Sequence, residues 1–108
     1  MLSDQEFQLK ASEALESLYA KLADASGNFE FDVDLQNGAL SVEFEEPRER
    51  FVVSPNSPVR QIWVSAHVQS FKLDWRPETG AFILPATGQT LEELLAVSIR
   101  RRIPAFTL

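Results

Sequence analysis

Asp and Glu outnumber Lys and Arg by 16 to 10, and the spacing of the carboxylates decides what chemistry they could do. On a helix turning about 100° per residue, Glu6, Glu13, Glu16 and Asp24 fall on one side, away from Phe7, Leu18 and Leu22. Across a short loop, Glu30, Asp32 and Asp34 continue the acidic character by alternating with Phe29, Phe31, Val33 and Leu35. Dense carboxylates without cysteine or paired histidine suit hard cations such as Fe³⁺, or Fe²⁺, Mn²⁺, Mg²⁺ and Ca²⁺ held with much of their water. No spacing here builds a closed cage, and a solvated face is the ordinary use of such a stripe.

A second pattern lies in "PVRQIWVSAHVQSFKLDW", residues 58–75. Ile62, Val64 and Ala66 alternate with Gln61, Trp63 and Ser65, and on a pleated strand the two sets face opposite ways. The aliphatic set belongs to a core. Trp63 is then expected outward on a sheet face without a helix, where a large aromatic is a typical anchor for a partner.

Other chemistries are poorly served. Without cysteine there is no disulfide framework, thiolate metal site or cysteine nucleophile. There is no glycine-rich phosphate loop, G-x-S-x-G elbow or H-E-x-x-H pair. The one histidine, His67, falls beside the turn after "QIWVSA", where a solvated side chain is expected; without a Ser or Cys partner it makes a poor general base. The formal net charge of -6 is concentrated in residues 1–46, where Lys10 and Lys21 are the only bases. That half repels nucleic acid and attracts cations or a basic protein surface. The acidic start has no basic n-region, and no apolar run approaches the roughly 20 residues of a membrane span, so a soluble, intracellular chain is expected.

The elements that must hold these residues are readable. Ser3 and Glu6 form a capping box that opens a helix through Phe7, Ala11, Ala14, Leu15, Leu18 and Leu22 to about Asp24, and "ASGN" stops it. A hairpin follows, with strands 29–35 and 40–45 about Asn37-Gly38. That turn sets Gln36 opposite Ala39, Val33 opposite Val42 and Phe31 opposite Phe44. It also opposes Asp32 to Glu43 and Glu30 to Glu45, like-charge pairs costing roughly 0.2–1 kcal/mol each. After the turn "EPRER", strands are predicted at 51–54, 60–66, 71–75 and 81–84. A second capping box, Thr90 with Glu93, opens a last helix through Leu91, Leu94, Leu95, Val97 and Ile99 to Arg100–Arg102, whose charges suit its C-terminus. The order, helix, five or six strands, helix, reads as an α+β, two-layer sandwich: an antiparallel meander with the N- and C-terminal helices on one face, in a single domain over 1–108.

With these residues in place, the chain resembles the frataxin family, and its compact bacterial members in particular. "NGALSVEF", "VVSPNSPVRQIWVS", "KLDW" and "TLEELL" are similar to that family's hairpin, its proline followed by Gln-Ile-Trp, its Asp-aromatic strand and its final helix, in the same order. The resemblance covers essentially the whole chain. It implies weak binding of ferrous and ferric iron along an acidic ridge, here Glu6, Glu13, Glu16, Asp24, Glu30, Asp32 and Asp34. It also implies a partner surface of Gln61, Trp63 and Ser65, and association with the cysteine desulfurase and scaffold protein of iron-sulfur cluster assembly. A bacterial, cytoplasmic monomer acting without catalysis follows from it, with iron-dependent oligomerisation left open. A ferroxidase that detoxifies iron and a metal-independent acidic adaptor are the alternatives. In this sequence "YAKLADASGN" interrupts the acidic run that relatives carry at the end of the first helix, and Ser54 stands where the family has an asparagine.

Overall fold

The computed structural model describes residues 2–45 and 47–108. Helix α1 spans Asp4–Ala25, followed by strands β1 (Asp32–Gln36), β2 (Ala39–Phe44), β3 (Glu49–Asn56), β4 (Gln61–Ala66), β5 (Gln69–Arg76) and β6 (Ala81–Ile83), and then helix α2 (Leu91–Arg100). The strands form one antiparallel sheet in sequence order, β1-β2-β3-β4-β5-β6, so every connection is local. The α+β sandwich with an antiparallel sheet is as expected, with six strands.

Both predicted capping boxes form. Ser3 Oγ accepts from the Glu6 amide at 3.1 Å while Glu6 Oε1 accepts from the Ser3 amide at 3.0 Å. Thr90 and Glu93 repeat the exchange at 3.1 and 2.9 Å. From these starts, Phe7, Ala11, Leu15, Leu18 and Leu22 of α1 are buried, as are Leu91, Leu94, Leu95 and Ile99 of α2. They meet the inward set of the sheet, Leu40, Val42, Phe44, Phe51, Val53, Ile62, Val64, Ala66, Leu73 and Phe82, in one hydrophobic cluster. Lys21 of α1 pairs with Glu92 of α2 across the helix layer. Among the described residues no helix lies on the opposite sheet face.

The β1-β2 hairpin has the predicted register from Gln36↔Ala39 through Val33↔Val42 to Asp32↔Glu43. There the ladder stops. The Phe31 amide bonds to the Phe29 carbonyl at 3.0 Å, and both rings pack on Phe106, at 5.3 Å for Phe29 and 5.8 Å for Phe31. The strand predicted from 29 therefore begins at Asp32, and the expected Glu30–Glu45 pair is not part of the ladder. Phe31 still meets Phe44, with ring centroids 6.0 Å apart. Elsewhere strands run longer than predicted: β3 begins two residues early, at Glu49, and β5 at Gln69. Glu46, in the turn predicted at 46–50, lies outside the described residues.

The predicted solvent position of His67 is not what the fold uses. Its side chain is only 13% exposed, with Nδ1 3.2 Å from Glu49 Oε2 and Nε2 2.9 Å from the Ser98 carbonyl oxygen. Its ring also packs on Phe51 at 4.8 Å. Arg102 donates to the other Glu49 oxygen at 3.0 Å and to the carbonyls of Glu45 and Pro47 at 3.1 and 2.8 Å. One carboxylate thus ties β3 to the β4-β5 turn and to the end of α2. The arginine run that reads as helix-end charge also secures a loop.

Candidate functional site

The outward face of β4 and β5 holds the best-defined polar arrangement. Gln61 pairs with Asp74 and Trp63 with Lys72 in the antiparallel register, so four side chains form a two-by-two tile on one sheet face. Trp63 Nε1 donates to Gln61 Oε1 at 3.0 Å, and Gln61 Nε2 donates to Asp74 Oδ1 at 3.0 Å. The Lys72 ammonium lies 5.0 Å from the Trp63 ring centroid, within cation–π range. On the β3 side Trp63 faces Ser54, a small residue. Ile62, its neighbour in sequence, is fully buried, whereas Trp63 is 37% exposed. The alternation in the sequence places Trp63 outward correctly, and Ser65 is exposed on the same face.

Lys72 and Asp74 are missing from the sequence-based site. They would emerge from counting outward from a two-residue turn at His67-Val68. That pair lacks the Asn-Gly signature that makes the first hairpin countable. Both residues nonetheless take positive φ, 53° and 55°.

The acidic residues are exposed as expected, but they occupy separate places. Glu6, Glu13, Glu16 and Asp24 line the outer side of α1. Asp32 and Asp34 lie on the edge strand β1, on the sheet face shared with Glu43, and Glu30 precedes that strand. Among the described residues no three His, Asp or Glu side chains come together as a cation site. Glu6 is committed to the cap, and its carboxyl is held below the ordinary range first by the Ser3 backbone amide and then by the Ser3 hydroxyl. Glu13 sits 3.9 Å from Lys10. The cross-strand repulsion of Asp32 and Glu43 is partly relieved within the chain, because Arg50, opposite Glu43 on β3, approaches it to 3.8 Å. Asp24, Glu30, Asp32 and Asp34 make no ion pair among the described residues. Their arrangement provides negative potential along an edge, with any cation there keeping most of its water.

A family model described as a frataxin-like domain matches residues 1–105. The chain belongs to the frataxin family. Among similar proteins, the iron-sulfur cluster assembly protein CyaY of Azotobacter vinelandii is 36% identical over 86 residues, covering 78% of this chain and 77% of that protein. The CyaY protein of Pseudomonas fluorescens strain SBW25 is 34% identical over 86 residues, covering 78% of this chain and 71% of that protein. A solved frataxin from Psychromonas ingrahamii superposes with a TM-score of 0.74 at 21% identity, over 94% of this chain and 91% of that one, a likeness of fold. The two-layer frataxin architecture inferred from sequence is thus matched in a solved structure. No helix among the described residues is long and apolar enough to cross a membrane.

Proposed function

We propose that this chain acts in iron-sulfur cluster assembly as a non-catalytic, iron-binding regulator or iron chaperone. It docks on the cysteine desulfurase through the acidic residues of α1 and β1, and on the scaffold protein through the Trp63 face. The observation that carries the reading is Trp63 itself, a large aromatic held in place on a helix-free sheet face. Relatives that carry the name of iron-sulfur cluster assembly proteins support the pathway. The exposed carboxylates support a basic partner, because a one-signed edge steers association and sets orientation. Iron in this reading is cargo, held weakly by water and by ridge carboxylates that form no ion pair among the described residues, Glu16, Asp24, Glu30, Asp32 and Asp34.

The dispersal of those carboxylates favours a second reading, an acidic adaptor that uses the same surfaces without metal. Calorimetry with Fe²⁺ under argon separates the two: the regulator gives a saturable heat and the adaptor none. A ferroxidase would instead consume Fe²⁺ catalytically in air. The reading as a whole is tested by affinity capture from the source cell, where cysteine desulfurase and scaffold should both be recovered. Recovery of neither removes it.

A further inference from the structure

We propose that Asp74 is a positioning residue for the Trp63 surface, acting through Gln61, and that the surface offers its partner an apolar ring whose N–H is already used. The proposal rests on the reading that Trp63 meets the scaffold.

A carboxylate can only accept hydrogen bonds, whereas a primary amide has one accepting and one donating end. Asp74 lies directly across the ladder from Gln61 and takes its Nε2 at 3.0 Å. That contact fixes which way round the amide sits. Gln61 Oε1 is then turned along its own strand toward Trp63, two residues on, where it accepts the indole N–H at 3.0 Å. Lys72, the residue opposite Trp63, places its ammonium over the ring at 5.0 Å. The indole is therefore held at its polar edge and on one face.

Two consequences follow. An indole fixed before association loses less side-chain freedom when it is buried, and affinity rises by that saving. With its only donor occupied, the ring contributes area and shape, so the complementary feature on the partner is an apolar recess rather than a hydrogen-bond acceptor. Asp74 touches no partner in this account; it sets the amide that sets the ring.

The test uses the full chain and five variants. In the free protein, the Trp63 indole N–H resonance, assigned by its loss in Trp63→Phe, reports the hydrogen bond directly. Asp74→Ala should shift it and speed its exchange with solvent, whereas Asp74→Asn, which keeps an acceptor for Gln61, should hold it near the parent. Scaffold affinity should follow, about tenfold weaker for Asp74→Ala and close to the parent for Asp74→Asn, as expected when one or two side chains must be ordered on binding. Gln61→Leu removes the middle link with Asp74 intact, and should reproduce Asp74→Ala even if that variant folds poorly. An indole resonance unchanged in both Asp74→Ala and Gln61→Leu overturns the relay. A shifted resonance with parental affinity overturns its role in recognition. Trp63→Ala binding the scaffold as the parent does overturns the reading of the surface beneath it, an outcome distinct from either.

Discussion

Ile62 and Trp63 are adjacent in sequence and face opposite ways, and the energetic contrast between them is the simplest check on the assignment of the sheet faces. Ile62 is fully buried, so Ile62→Ala should cost about 2–5 kcal/mol. Trp63→Ala should cost much less, since the ring lies on the helix-free face and its loss leaves no cavity. Denaturant melts of the two variants decide this, and equal large losses would show that the faces are misassigned. Trp63 was legible because period-2 alternation needs nothing beyond its own strand. His67 was not legible. Its partners, Glu49 and the Ser98 carbonyl, come from a strand and a helix far away in sequence, and no local pattern announces such a contact. The Gln61–Asp74 bond was hidden for a related reason, since it depends on the register across a turn with no sequence signature.

At the scale of the elements, the two hairpin turns make an instructive pair. Asn37 and Gly38 take positive φ, 53° and 78°, with residue types that tolerate it. His67 and Val68 adopt the same hand of turn, and Val68 is β-branched and fully exposed. The left-handed region costs a non-glycine residue roughly 1–2 kcal/mol, partly offset in glycine by greater chain entropy when unfolded. Val68→Gly should therefore stabilise the protein by up to about 1 kcal/mol in denaturant unfolding; a loss of stability would mean that the valine makes a contact this account lacks. The helix start gives a pH test. Glu6 has a lowered folded pKa, set by the Ser3 amide and then its hydroxyl. Its stabilisation is thus present above the ordinary carboxylate range and lost as pH falls through the lowered folded value. The Ser3 amide resonance should titrate with a midpoint below that of a free glutamate, and Glu6→Gln should abolish the titration. Ser3→Ala should lower stability by about 0.5–2 kcal/mol. The caps, the Asn-Gly turn and the helical periodicity were all readable because each is local. The late start of β1 was not, because Phe29 and Phe31 turn toward Phe106, a residue near the other end of the chain.

At the scale of the whole molecule, two surface features stand out. A helix-free sheet face presents a held tryptophan, and an acidic edge of α1 and β1 carries most of the net charge of -6. Asp32 and Asp34 share the sheet face of Trp63 at its far edge, whereas the α1 carboxylates lie on the helix layer, in the fold of the frataxin family. The edge carries a cost, since Asp32 faces Glu43 across the ladder. Arg50 offsets part of it, so the repulsion left over is at most a few tenths of a kcal/mol and screened by salt. Replacing Glu30, Asp32 and Asp34 by Gln, Asn and Asn should leave the unliganded protein as stable or slightly more stable at low salt, and should weaken the Fe²⁺ heat. The most direct test of the central claim is the affinity of this triple variant for the cysteine desulfurase, measured against the parent across a range of ionic strength. The variant should bind roughly tenfold more weakly at low salt, with the gap closing as salt rises, because the attraction comes from the charge of the edge. Equal binding by parent and variant at low ionic strength, where charge effects are largest, would contradict it.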